Sequence, residues 1–164
     1  MADAIVLRDL TVADGAFLGE MLYTAAFWRP DGARPPIEIV LAHPKARRFT
    51  DDWGRPGDVG LVAELGGEPV GVAWYRHFTD DDHGEGYIDP ATPEIAVAVR
   101  ADRRGRGIGR QLMTAIHARA RSAGVRRISL SADVDNPARH LYRSLGYVDI
   151  APDDPEQRMV LELA

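Results

Sequence analysis

Residues 103–112 read RRGRGIGRQL, and no other stretch limits the fold so strongly. Gly105, Gly107 and Gly109 lie between a short apolar run, EIAVAV (94–99), and a long amphipathic pattern. In that pattern Ile108, Leu112, Ile116 and Ala120 recur every four residues, with Met113 beside them, as one stripe of a helix. Glycine is a poor helix former, so three of them at a helix start need a physical reason. A helix N-terminus offers unpaired N–H groups and a partial positive charge, to which phosphate is the natural guest. Removing Cβ atoms lets a diphosphate lie directly on the main chain, and Arg104, Arg106 and Arg110 add charge. Two common phosphate loops do not fit. Gly109 is followed by Arg110 and Gln111 where a Walker A loop needs Lys and Ser/Thr, and the third glycine of a dinucleotide fingerprint is missing.

The net charge of −5 argues against general nucleic-acid binding. It hides an asymmetry: from Arg100 to Arg127 there are nine arginines and one aspartate, Asp102. A basic segment in an acidic chain points to a local anionic ligand, or else to a solvated helix face. With no cysteine there is no thiol nucleophile, disulfide or thiolate metal site. No apolar run is long enough to span a membrane, and the start, MADAIVLRDL, lacks the basic region of a leader. A cytoplasmic protein with no membrane partner is the expectation.

The 164 residues suit one domain over 1–164. Strands are expected at 4–9, 58–65, 69–78, 94–99, 126–132, 147–150 and 157–163. Gly66-Gly67 should turn a hairpin. Helices are expected from Thr11 through "VADGAFLGEMLYTAAF", in short pieces over "IEIVLAH" and "PKARRFTDDW", and from the glycine stretch to Gly124. Another should begin at Asn136-Pro137, an N-cap followed by proline at the first helical position. On it Ala138, Leu141, Tyr142 and Leu145 share a face. This order predicts an α/β fold with a mixed, mostly antiparallel sheet of about six or seven strands flanked by helices. Residues 79–93, TDDDHGEGYIDPATP, form a long acidic loop, a length often associated with function.

With its flanks, the glycine stretch resembles motif A of the GNAT superfamily of acyl-CoA-dependent N-acyltransferases. The family pattern Gln/Arg-x-x-Gly-x-Gly/Ala is matched by Arg104, Gly107 and Gly109. NPARHLYRSLGY (136–147) resembles the family's motif B, with Asn136 and Tyr142 six residues apart. The resemblance implies splayed central strands, acetyl-CoA as cosubstrate without a metal, and transfer of acetyl to a primary amine by direct attack in a ternary complex. It implies that 92–150 hold acetyl-CoA while 1–91 build the acceptor side for a small-molecule or peptide amine, and that a homodimer is possible. Backbone amides of Arg104, Gly105, Arg106, Gly107, Ile108, Gly109 and Arg110 would hold the pyrophosphate. Val97, Ala98 and Val99 would pair with the pantetheine arm, with an N–H near Val99 polarising the thioester. Asn136 would contact the arm or cap its helix alone. Tyr142 would protonate the departing thiolate or else pack in the core. The alternative to an enzyme is a silent GNAT-fold module that binds CoA and regulates. A nucleotide-binding module using the same loop is a third reading.

Amide formation needs a neutral amine and so a base. Glu94, opening the central strand, is the first candidate unless it faces solvent; His83, Glu85, Tyr87 and Glu64 follow. The acids at 80–82 and 51–52 could attract a cationic amine. Trp28, Trp53, Trp74, Tyr75, Phe78 and Tyr87 are candidates for the acceptor pocket or for the core. The histidines at 43, 77, 83, 117 and 140 show no ligand spacing, and His117 and His140 read as helix-surface residues. No nucleophile elbow surrounds Ser129 or Ser131.

Overall fold

The computed structural model describes residues 3–164. Seven strands form one sheet: β1 (Ile5–Asp9), β2 (Val59–Leu65), β3 (Glu68–Arg76), β4 (Glu94–Val99), β5 (Arg127–Ser131), β6 (Val148–Asp149) and β7 (Arg158–Glu162). Their order is β1-β2-β3-β4-β5-β7-β6. Every neighbouring pair is antiparallel except β4 and β5, which run parallel. Gly66 and Gly67, at φ +59° and +81°, turn the β2–β3 hairpin. Both central positions of such a tight turn need positive φ, which glycine adopts freely.

The helices are α1 (Gly15–Ala26), α2 (Ile37–Ala42), α3 (Pro44–Thr50), α4 (Ile108–Ser122) and α5 (Ala138–Ser144). The first differs from the sequence reading. Thr11 opens a short 3-10 turn, Val12–Asp14, because the Asp14 carboxylate accepts the Thr11 N–H at 2.8 Å, and α1 follows it. The strand expected at 147–150 shortens to two residues because Tyr147 is drawn into the core.

Alternation along the strands divides the core between the two faces. On one face Leu61, Ala73 and Ile95 pack against Ile108, Leu112, Met113, Ile116 and Ala120 of α4. Ile128, Leu130 and Met159, from beyond β4, join the same cluster, so α4 spans both halves of the sheet. On the other face Val62, Val72, Trp74 and Ala98 pack against Leu18 and Met21 of α1. Trp74, Tyr75 and Phe78 are core residues and Trp53 packs on their edge, so none of these four aromatics lines the cleft described below. The Trp74 indole donates to the Phe49 carbonyl at 3.0 Å and fastens α3 to the sheet.

His117 is a second difference. It lies 3% exposed, not on the helix surface, with Nε2 2.8 Å from the Tyr147 hydroxyl. Burial lowers its pKa from 6.5 to about 4 and keeps the ring neutral. Met113, His117 and Ala120 follow helical i, i+4, i+7 spacing, a signal available in the sequence. His140 is exposed, as expected.

A buried ion pair holds the segment before β2. Arg76 bonds both oxygens of Asp58, at 3.0 and 2.7 Å, and the carbonyls of Arg48 and Asp51 at 3.0 and 2.7 Å. Both side chains are almost fully buried. The C-terminal end of α3 is thereby fixed relative to β3.

Candidate active site

β4 and β5 meet at one register pair, Glu94 with Ser129, supported by a Ser129 N–H to Pro93 carbonyl bond of 3.0 Å. Beyond it the strands separate. A cleft of about 1460 Å³ enters the gap, lined by Ile95–Val99 on one side and by Leu130–Asp133 on the other. The splay expected from the family resemblance is present.

The hydrogen-bond phase of β4 determines which groups face this seam. Arg100 N–H donates to the Val70 carbonyl at 2.8 Å, and in the same register Ala98 lies opposite Val72. Main-chain groups of an antiparallel strand alternate between its two neighbours. Ala98 therefore spends its N–H and C=O on β3, whereas Val97 and Val99 turn theirs towards the seam. This corrects the expectation that all three residues offer main-chain bonds there. Arg104 Nε lies 3.3 Å from the Val99 carbonyl.

At the inner end of the cleft the start of α4 is bare. Gly105 and Gly107 have φ of +76° and +77°, and no atom would meet a Cβ on either. Side chains are disfavoured there by backbone conformation. Gly107 is the N-cap and supplies no side-chain cap, so the first N–H groups of α4 point outward. Arg103, Arg104, Gly105, Gly107, Ile108, Gly109 and Arg110 line the cleft. Arg106, between the two left-handed glycines, is exposed and off the cleft wall, contrary to expectation for its side chain. The Arg103 Nε is buried without a partner, and Arg110 donates to the Ser144 hydroxyl at 2.7 Å. Elsewhere in the basic segment Arg119 pairs with Asp9 at the surface, and Arg127 bonds Asp89 and Thr92.

Asn136 lines the cleft while its Oδ1 accepts the Ala138 N–H at 3.0 Å, so it caps α5. Tyr142 also lines the cleft, 8% exposed, and packs at 5.9 Å against the Tyr147 ring. Burial alone pushes its pKa up to about 12, so the phenol stays protonated. Arg139, whose role the sequence pattern did not reveal, anchors the same helix. It is buried, donates to the Ala132 carbonyl at 2.6 Å and bonds Asp149.

Glu94 does not face solvent; it is 6% exposed and lines the cleft. It occupies the sheet face of Ala96 and Ala98, whereas Tyr142 belongs to the cluster on the other face. The two side chains thus reach one cleft from opposite faces of the sheet. Gly86 N–H donates to Glu94 Oε2 at 3.0 Å, and Oε1 is buried without a partner. A Cβ at Gly84 would lie 2.6 Å from both carboxylate oxygens and 2.5 Å from Phe49 Cζ. Only glycine lets the loop approach so closely. Burial raises the Glu94 pKa from 4.5 to about 7, against opposing contributions from Gly86 N–H, His83 and Arg48.

The remaining base candidates separate. Glu64 is bonded to Arg8 and stands away from the cleft. His83 stacks on Tyr87 at 4.3 Å, and both line the cleft with Glu85. The Tyr87 hydroxyl is bonded to Asp80. The acids at 80–82 and 51–52 do not line the cleft. The Trp28 indole donates to Asp133 at 3.2 Å and Arg29 forks onto Asp135 at 2.6 and 2.9 Å, joining the segment after α1 to the one after β5. Among the described residues, no group of three His, Cys, Asp or Glu could hold a metal ion. None of the helices there is long and apolar enough to cross a membrane.

A mixed sheet opened between parallel central strands, with a bare helix start at the opening, is the arrangement that the family resemblance implies. Residues 25–147 match the model of the Acetyltransferase (GNAT) family, and the chain belongs to that family. It is 33% identical over 148 residues to the L-methionine sulfoximine/L-methionine sulfone acetyltransferase of Pseudomonas aeruginosa, covering 86% of this chain and 78% of that one. Similarity to the mycothiol acetyltransferase of Pseudarthrobacter chlorophenolicus is 32% identity over 107 residues, 62% of this chain and 31% of the relative. The match thus spans about a third of that longer protein. In fold, the yncA acetyltransferase of Salmonella typhimurium, solved with acetyl-CoA, is similar at a TM-score of 0.68 and 22% identity, over 98% of this chain and 95% of that one.

Proposed function

We propose that this chain is an N-acetyltransferase that moves the acetyl group of acetyl-CoA to a primary amine by direct attack in a ternary complex. The observation that carries the reading is the arrival of Glu94 and Tyr142 in one cleft from opposite faces of the opened sheet. The bare N–H groups from Gly107 to Arg110 would hold the pyrophosphate, with Arg103 and Arg104 beside them. The seam-facing groups of Val97 and Val99 would bond the pantetheine arm as a strand would, and the Val99 N–H would favour developing negative charge on the thioester oxygen. Glu94, with its raised pKa, takes the proton from the incoming ammonium directly or through one water. Tyr142, held protonated, donates to the thiolate as the carbon–sulfur bond breaks. The acylated nitrogen sheds its second proton to solvent, and exchange with solvent returns Tyr142 and Glu94 to their starting protonation states.

In this reading residues 92–150 hold acetyl-CoA, residues 1–91 build the acceptor side, and 1–164 act as one domain. The acceptor wall comes from the end of α1, from α2 and α3, and from residues 83–87. A small acceptor is favoured by the amino-acid analogues named for the Pseudomonas aeruginosa relative. The test is release of free thiol over a panel of primary amines, with mass detection of the N-acetylated product. CoA binding without thiol release on any amine would support a silent CoA-binding module instead.

A further inference from the structure

Arg48 lines the cleft with a guanidinium that finds no hydrogen-bond partner among the described residues. It lies on α3 and is 21% exposed. Its own carbonyl is fixed by the buried Arg76, so its position does not depend on the side chain's contacts. The Nε is buried and has no hydrogen-bond partner. The nearest acid, Asp82, is 3.5 Å away and 63% exposed, a loose surface pair of little energetic value.

The surroundings are unusual for a site that receives a simple cation. Of the acidic loop, Asp80 bonds Tyr87 and Asp89 bonds Arg127, while Glu85 lines the cleft from an exposed position. His43 and Lys45 line the cleft alongside Arg48. Glu94 is the buried carboxylate in the cleft wall, close enough to Arg48 for the guanidinium to oppose the rise in its pKa. A monoamine would answer Glu94 and leave Arg48 unmatched. An acceptor carrying both charges would answer both, and planar guanidinium is suited to bidentate carboxylate binding.

We propose that Arg48 binds a carboxylate carried next to the acceptor's amine, so that the acceptors are α-amino acids or close analogues of them. The proposal rests on the acetyltransferase reading for the amine's place at Glu94. It concerns binding rather than turnover, and can therefore be tested separately.

The experiment is calorimetric titration of the protein saturated with CoA, a dead-end ternary complex. The probes are the standard L-amino acids and L-methionine sulfone, each compared with its primary amide and its decarboxylated amine. The expected result is that at least one acid binds about 30-fold or more tightly than its amide and amine, corresponding to roughly 2 kcal/mol. Arg48→Gln should abolish that preference and Arg48→Lys restore part of it, both with unchanged melting temperature and CoA affinity. Equal binding of acid and amide, or no binding of any acid, overturns the proposal. A preference that persists in a folded Arg48→Gln would overturn it as well, and Arg48→Lys, which keeps the charge, guards against a variant that merely misfolds. Preferential acid binding without thiol release would leave the Arg48 site standing and refute the enzymatic reading.

Discussion

Glu94 and Ser129 face each other at the register pair that joins the two parallel central strands, and each carries a buried oxygen without a partner. The sheet therefore opens at a point where desolvated polar groups are already present. The carboxyl of Glu94, raised to about 7, is the largest consequence.

Glu94→Gln should lower kcat and remove an ascending limb of the pH–rate profile centred near 7. It should also stabilise the protein. A folded-state pKa raised above 4.5 contributes stability that is complete below pH 4.5 and lost as pH rises through 7. The loss amounts to about 3 kcal/mol. Thermal melts should place the variant several degrees above wild type at pH 8 and level with it at pH 4.5; a lower melting point at pH 8 would contradict the desolvated site.

For Tyr142→Phe the expected outcome is a fall in kcat of about 100-fold, within the range of general acid–base contributions. CoA affinity should change less than about twofold, since the remaining ring keeps the packing. Unaltered kcat would assign the phenol to packing alone.

Gly84→Ala should disturb the acceptor side specifically. The added methyl would collide with Phe49 and the Glu94 carboxylate, pushing the loop off Glu94. KM for the amine should rise and kcat fall while CoA affinity holds, as steady-state kinetics with each substrate varied would reveal.

Arg76→Met leaves Asp58 buried and unpaired, and breaking such a pair costs about 3–5 kcal/mol. Urea titration should register a loss of that size. Releasing the end of α3 should also raise KM for the acceptor through Phe49 and Arg48.

His117 predicts an acid weakness. Its folded pKa of about 4 lies below the ordinary 6.5, so the unfolded chain binds the proton more readily. Stability is full above pH 6.5 and declines by roughly 3 kcal/mol as pH falls to about 4. In His117→Gln that part of the pH dependence of melting should flatten.

The sequence was most informative where one local pattern had one physical solution. The strand–glycine–helix stretch, the stripe on α4, the Gly66-Gly67 hairpin and the Asn136 cap all form as their residues dictate. Local pattern is silent where burial is decided by another element. Arg76 and Asp58 meet at the open end of the β2–β3 hairpin, but their burial depends on α3, whose Arg48 carbonyl also accepts from Arg76. Arg139 looks like a surface residue of a short helix until β5 and β6 close around it. A polar residue beside an apolar stripe, such as His117, can sit on either side of the boundary, and its deciding partner, Tyr147, lies 30 residues away. Composition does not separate Ala98 from Val97 and Val99, because the phase of a strand's hydrogen bonds depends on its pairing.

The open seam links folding to occupancy. Val97 and Val99 turn main-chain groups towards a gap that the protein itself does not close. A strand-like guest seated there would supply hydrogen bonds to the native state that the unfolded chain cannot hold in place. Every such guest adds stability as RT ln(1 + [L]/Kd), about 2.7 kcal/mol at a hundredfold excess over Kd. The melting temperature of this protein should thus be a function of its cosubstrate's concentration.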